Sequence, residues 1–194
     1  LFRNHIFAAT TTSAFLNYAS VYSVVFVIPF LLVQARGLNM QEAGLVLSAQ
    51  PLVMAVVAPI SGALSDRIGT RGPATLGMAT LAVGLLLLAW ASKAAPLGGL
   101  AVALGVVGLG VGIFVSPNNS ALMGSAPSQR QGIAAGVLAT ALNVGMVAGI
   151  GLAGAIFTTF LSGGGAEGLV RGVQASLVVA AGIAGVGAMT SWTR

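Results

Sequence analysis

Chemistry needs side chains that ionise, ligate or attack, and this sequence holds few of them. It has eight Lys+Arg, three Asp+Glu and one His among 194 residues. The acids are Glu42, Asp66 and Glu167, and the histidine is His5. All four fall in loops, at helix ends or before the first apolar segment, where His5 reads as a solvated interfacial residue. Cysteine is absent, which excludes disulfides, thiolate metal sites and cysteine nucleophiles. A hydrolase working within a membrane needs a nucleophile–base pair or a metal set. With no Gly-x-Ser-Gly, no paired intramembrane aspartates and one terminal histidine, the chain reads as a non-enzyme. No metal or other cofactor is implied.

The remaining polar groups are neutral amides, phenols and hydroxyls inside apolar stretches. Ser13, Asn17 and Ser20 share one helical face at i, i+4 and i+7, and Tyr18 and Tyr22 form an i, i+4 pair beside it. Gln50 stands next to Pro51. Ser116-Pro117-Asn118-Asn119-Ser120 forms one cluster, and Thr140 and Asn143 follow later. Any one of these reads plainly as interhelical hydrogen bonding. Concentrated on particular helices, they suggest a water-accessible cavity with Asn17, Tyr18, Tyr22, Gln50, Asn118 and Asn143 as its candidate lining.

The elements that must position these groups follow from composition. The chain is 57% hydrophobic and 6% charged, with a mean hydropathy of +1.00. A soluble domain carries roughly 25% charged residues, so this chain cannot coat a globular surface and is read as an integral membrane protein. The net charge of +5 is spread along the sequence without forming a patch. The charges mark membrane topology rather than a nucleic-acid partner.

A bilayer crossing takes about 20 helical residues. Charges and Gly/Pro clusters divide the chain into six such spans, at about 11–34, 43–64, 74–92, 97–123, 131–160 and 169–192, the last two joined by a Gly163-Gly164-Gly165 linker. The fold class is therefore all-α, one domain of six transmembrane helices. Spans one, two, four and five carry polar faces, while three and six look peripheral. Gly145-x-x-x-Gly149 suits close helix packing, and Pro29, Pro51, Pro59 and Pro117 predict kinks. With six spans both termini share a side. That side holds Arg3, Arg67, Arg71, Arg130 and Arg194 against Asp66, whereas the other holds Arg36, Lys93 and Arg171 with Glu42 and Glu167. The basic excess places both termini in the cytoplasm.

One loop is more specific than the rest, running from Gly62 through Ser65-Asp66-Arg67-Ile68-Gly69-Thr70-Arg71. Asp66 ends span two, where the helix dipole disfavours an anion, so it needs a partner in Arg67, Arg71 or another helix's N-terminus. This loop resembles the Gly-x-x-x-Asp-Arg-x-Gly-Arg-Arg signature of major facilitator superfamily transporters, matching at Gly62, Asp66, Arg67, Gly69 and Arg71, with Thr70 in place of one basic residue. Together with the Ser116–Asn119 region and Pro127-x-x-x-x-Gly132-x-Ala134-x-Gly136, the chain looks most like the C-terminal half of the multidrug:proton antiporter branch.

That resemblance implies half of an alternating-access carrier in a bacterial cytoplasmic membrane. It would export amphipathic compounds by proton antiport with a second six-helix half, in the same polypeptide or as a partner chain. The loop would be a cytoplasmic latch or, more plainly, a topogenic basic turn. The spans carry no ionisable coupling group, so the coupling carboxylates are expected in another half. With Leu1 in place of Met and a mass of 19.1 kDa, the sequence is read as a fragment or a self-standing half. The competing readings are a channel, a structural membrane subunit, or a carrier for sugars or metabolites.

Overall fold

The computed structural model describes residues 4–161 and 165–193. Arg3, Arg194, Gly163 and Gly164 lie outside the described residues. The rest forms six long helices: α1 (His5–Phe30), α2 (Met40–Ile68), α3 (Arg71–Ala94), α4 (Leu97–Gly124), α5 (Gln131–Leu161) and α6 (Gly165–Trp192). All six are long and apolar enough to cross a membrane.

The ends of the helices follow from local chemistry. α1 starts six residues before the expected Thr11, because Asn4 caps it by accepting the Ile6 N–H at 3.0 Å. His5 is therefore the first residue of the helix rather than a flanking one. Past Pro29 the helix widens, and Leu31–Ala35 forms a π-helical turn. Proline has no N–H for the carbonyl four residues back, and such a break in the ladder is a usual origin of π turns and kinks. α2 opens on a reciprocal capping box between Asn39 and Glu42. It closes at Gly69, whose φ of +87° favours glycine.

α1 and α4 lie at the centre of the bundle. α1 packs on α5 and α6, α4 packs on α2 and α3, and α3 and α6 pack on each other behind them. Exchanging the first three helices for the last three reproduces this pairing, the signature of two three-helix repeats. One departure is that α5 also leans on α6, while α2 scarcely touches α3.

Helices approach where side chains are missing. A Cβ on Gly77 would stand 2.6 Å from the Phe114 backbone nitrogen of α4, and one on Gly145 2.6 Å from the Phe15 carbonyl of α1. Gly108 meets the Gln50 backbone and Gly149 the Ala19 backbone with no room for a side chain at all. Hydroxyls add further bonds between helices. Ser20 donates to the Ala180 carbonyl at 3.0 Å, Ser23 to Gly149 at 3.2 Å and Ser61 to Ile113 at 2.7 Å.

Burial is uneven. Only 6% of the most apolar stretch of α2 and 22% of that of α5 is inside the bundle, against 44–50% for the other four helices. α3 and α6 turn one apolar face outward, at Leu76, Val83 and Trp90 and at Val178, Val186 and Met189. They are half-buried rear walls rather than loosely attached outer helices.

The glycine contacts can be tested in pairs. Gly149→Val forces a branched side chain into the α1 backbone and is expected to lower stability by about 1–3 kcal/mol. Gly151→Val, on the same helix with nothing within 4 Å of the added carbon, should change it by no more than about 0.5 kcal/mol. Thermal unfolding of both variants in detergent checks the difference.

Candidate functional site

The polar residues of α1 meet those of α2 in a cavity of about 400 Å³, near the middle of the 31-residue helical run that α1 heads. Asn17, Tyr18 and Tyr22 line it from α1, Gln50 and Met54 from α2, and Val111 closes the floor from α4. The tyrosine rings stack at 5.8 Å between centroids with 24° between planes, as their i, i+4 spacing allows. The two phenols and Gln50 are half-buried, and Gln50 and both hydroxyls have no hydrogen-bond partner among the described residues. Asn17 is fully buried. Its amide Nδ2 donates to the Met78 sulfur at 3.3 Å, and its Oδ1 has no partner.

Both walls carry a proline. Pro29 of α1 and Pro51 of α2 line the cavity, as do Val25 and Leu47, each four residues earlier on the same helix. Each proline withholds the N–H that a regular helix would give to that earlier carbonyl. Sequence reasoning marked these prolines as kinks and missed them as lining. The signal was present, because Tyr18, Tyr22, Val25 and Pro29 continue one i+4, i+3, i+4 stripe.

Two of the six expected lining residues lie elsewhere. Asn118 is wholly buried and donates to the Thr10 carbonyl at 3.2 Å. It sits about two helical turns beyond Val111, level with the first part of α1, and holds α4 to α1. Asn143 is exposed on α5 and lines neither this cavity nor a second one of about 750 Å³ between α1 and α5, where Thr11, Phe15 and Thr140 lie. The hydroxyls of Thr11 and Thr140 are already bonded within their own helices, to Phe7 and Gly136.

The charged loop also differs from expectation. Asp66 is exposed at the end of α2 and has no ion pair or hydrogen bond among the described residues, so the partner expected in Arg67 or Arg71 is not supplied within this bundle. Arg71 instead lays its guanidinium 4.7 Å from the centroid of the Trp192 ring on α6. Gly62 is a packing residue, since a Cβ there would lie 2.9 Å from the Ser116 hydroxyl of α4. The one ion pair among the described residues is Arg171 with Glu167, at 3.3 Å and well exposed.

A cavity at mid-depth between helices of a repeated three-helix unit is a carrier's arrangement, and the sequence agrees. Residues 10–194 match the family model of the Major Facilitator Superfamily. The chain belongs to this superfamily. Among curated superfamily relatives it is 35% identical over 162 residues to the riboflavin transporter RibZ of Clostridioides difficile, an alignment covering 84% of this chain and 35% of RibZ. It is 29% identical over 165 residues to the multidrug resistance protein Stp of Mycobacterium tuberculosis, covering 84% and 30%. A solved bacterial homologue of the human drug peptide transporters PepT1 and PepT2 superposes with a TM-score of 0.85 at 25% identity, covering 96% of this chain and 41% of that one. The chain thus spans about a third of the length of these curated relatives and less than half of the solved transporter.

The reassignment of Asn118 has a measurable consequence. Asn118→Leu removes a buried donor and leaves the Thr10 carbonyl short of it, which should cost about 1–3 kcal/mol. Asn143→Leu, on an exposed face, should be nearly neutral. Unfolding midpoints of the two variants in detergent separate the roles.

Proposed function

We propose that this chain is one six-helix half of a secondary active transporter that exports amphipathic organic compounds by proton antiport, working with a second six-helix half in the same polypeptide or as a partner chain. The observation that carries this reading is the mid-depth cavity, where Asn17, Tyr18, Tyr22 and Gln50 converge from two proline-containing helices. Alternating access requires such a site at the seam between rocking elements. α2, which lines it, and α5 are the two most exposed helices, leaving a broad apolar surface for the second half to cover. Stp, named for multidrug resistance, supports efflux of this kind. A second reading, transport of a defined metabolite such as riboflavin, draws on the higher identity to RibZ.

The protein is an integral membrane protein, and we place it in a bacterial cytoplasmic membrane with both termini inside. The loop from Gly62 to Arg71 then faces the cytoplasm. Asp66 is solvated and unpaired in this half, next to Arg67 and the turn at Gly69. That is the condition for a carboxylate whose partner belongs to the opposite half in one state and is released in the other. Arg71, occupied by Trp192, anchors the turn rather than pairing with Asp66.

The test is energised transport by the native protein in everted membrane vesicles. Dye or drug accumulation should collapse when the proton gradient is discharged. Asp66→Asn should reduce it roughly tenfold, the effect of moving a two-state balance by about 1.4 kcal/mol, with membrane abundance unchanged. Undiminished transport in that variant would remove the latch role. Steady ion conductance indifferent to a substrate gradient would replace the carrier with a channel.

A further inference from the structure

The cavity between α1 and α2 has an imbalance that the transport reading does not use. Its side-chain walls carry no Asp, Glu, Lys, Arg or His. Its distinctive unsatisfied groups are acceptors. Asn17 Oδ1 is buried without a donor, and the carbonyls of Val25 and Leu47 are deprived of their ordinary helical donor by Pro29 and Pro51. A buried acceptor left unpaired is unfavourable, and a ligand that supplies the missing N–H or O–H gains what the empty site lacks. The stacked phenols of Tyr18 and Tyr22 add a flat aromatic wall suited to the face or edge of a ring. Gln50 on the opposite wall can serve a carbonyl or an N–H equally.

We propose that this cavity selects uncharged aromatic ligands that donate hydrogen bonds, with Asn17 as the acceptor that sets the preference, over permanent cations that have no donor to offer. The selection works through three features. The ring lies against the tyrosine pair, its N–H reaches Asn17 at the cavity floor, and further hydroxyl or N–H groups meet the carbonyls released by the prolines. A quaternary or phosphonium cation leaves Asn17 Oδ1 unpaired and meets no acidic side chain in this cavity. The proposal rests on the cavity being the transport site, so its test must separate the two claims.

The experiment uses the native transporter with the second half it carries, reconstituted in lipid vesicles. Binding and energised transport are measured for riboflavin, for its derivative methylated at the imide nitrogen, and for tetraphenylphosphonium. Riboflavin should bind at least about tenfold more tightly than the methylated compound, the loss expected when a buried acceptor goes unpaired, and more tightly than the phosphonium. In Asn17→Leu the ratio between riboflavin and its methylated form should fall to near one. In Asn17→Asp, which keeps the acceptor, the ratio should persist while phosphonium binding rises. The ligand comparison needs no variant, so it stands even if Asn17→Leu fails to fold. Equal binding of riboflavin and its methylated form would overturn the role of Asn17 and leave transport intact. Binding of the phosphonium alone would overturn the ligand class. Absence of energised transport for all three would overturn the transport reading itself.

Discussion

Hydrocarbon offers helices no reward for hiding apolar side chains from one another, because lipid tails are as apolar as leucine. What remains is dispersion at close range and the satisfaction of polar groups, and both improve as backbones approach. This chain meets the constraint with glycine. Gly77 and Gly110 bring α3 onto α4, Gly108 brings α4 onto α2, and Gly145 and Gly149 bring α5 onto α1. Serine hydroxyls also reach main-chain carbonyls on neighbouring helices, so Ser20, Ser23 and Ser61 tie helices together without a charge. The positions of the cavity walls depend on this scheme, because α1 and α2 both pack on α4 and touch each other little.

The same scheme explains why the bundle has an unfinished face. α2 holds to α4 along one narrow glycine-lined strip and otherwise presents Leu45, Leu52, Val56, Ile60 and Leu64 outward. α5 holds to α1 and α6 and presents Ile133, Val144 and Val147. Lipid can solvate such faces at little cost, so their exposure alone proves nothing about a partner. Their placement is more informative, since α2 lines the first cavity and α5 the second. A rocking partner needs smooth apolar surfaces of this kind, where sliding breaks no hydrogen bonds.

Much of this was legible in the sequence, for identifiable reasons. Six apolar runs bounded by charges can only be helices in a bilayer, so their number and order followed from length alone. The i, i+4 spacing of Tyr18 and Tyr22 put them on one face, where the rings stack. Legibility failed where depth and partner mattered. Asn118 looks like Asn17 in composition and setting, but it lies at a different level of the bundle and meets Thr10. Its role depends on how α4 lies along α1, which no single-helix pattern reports. Arg71 is one of the partners that sequence proximity offers Asp66, yet the start of α3 sets its side chain toward Trp192. Likewise α1 begins ahead of the apolar run because Asn4 caps it, a signal that hydropathy does not carry.

The distribution of charge bears on how labour is divided in the proposed transporter. Every charged side chain among the described residues sits at a helix end or in a loop, and the interior of this half offers only amides, hydroxyls and rings. A proton taken up at mid-membrane needs a carboxylate or histidine there. Under antiport that group must belong to the other half, facing this one across the seam. Such asymmetry is physically sound. Concentrating the titratable group on one wall lets its protonation alter that wall's contacts, while the opposite wall keeps a constant shape for the substrate. A neutral, glycine-packed half with a rigid aromatic wall suits the constant role. Introducing a second charge on it would add desolvation to both states without distinguishing them, and only an interaction that differs between states can drive the exchange.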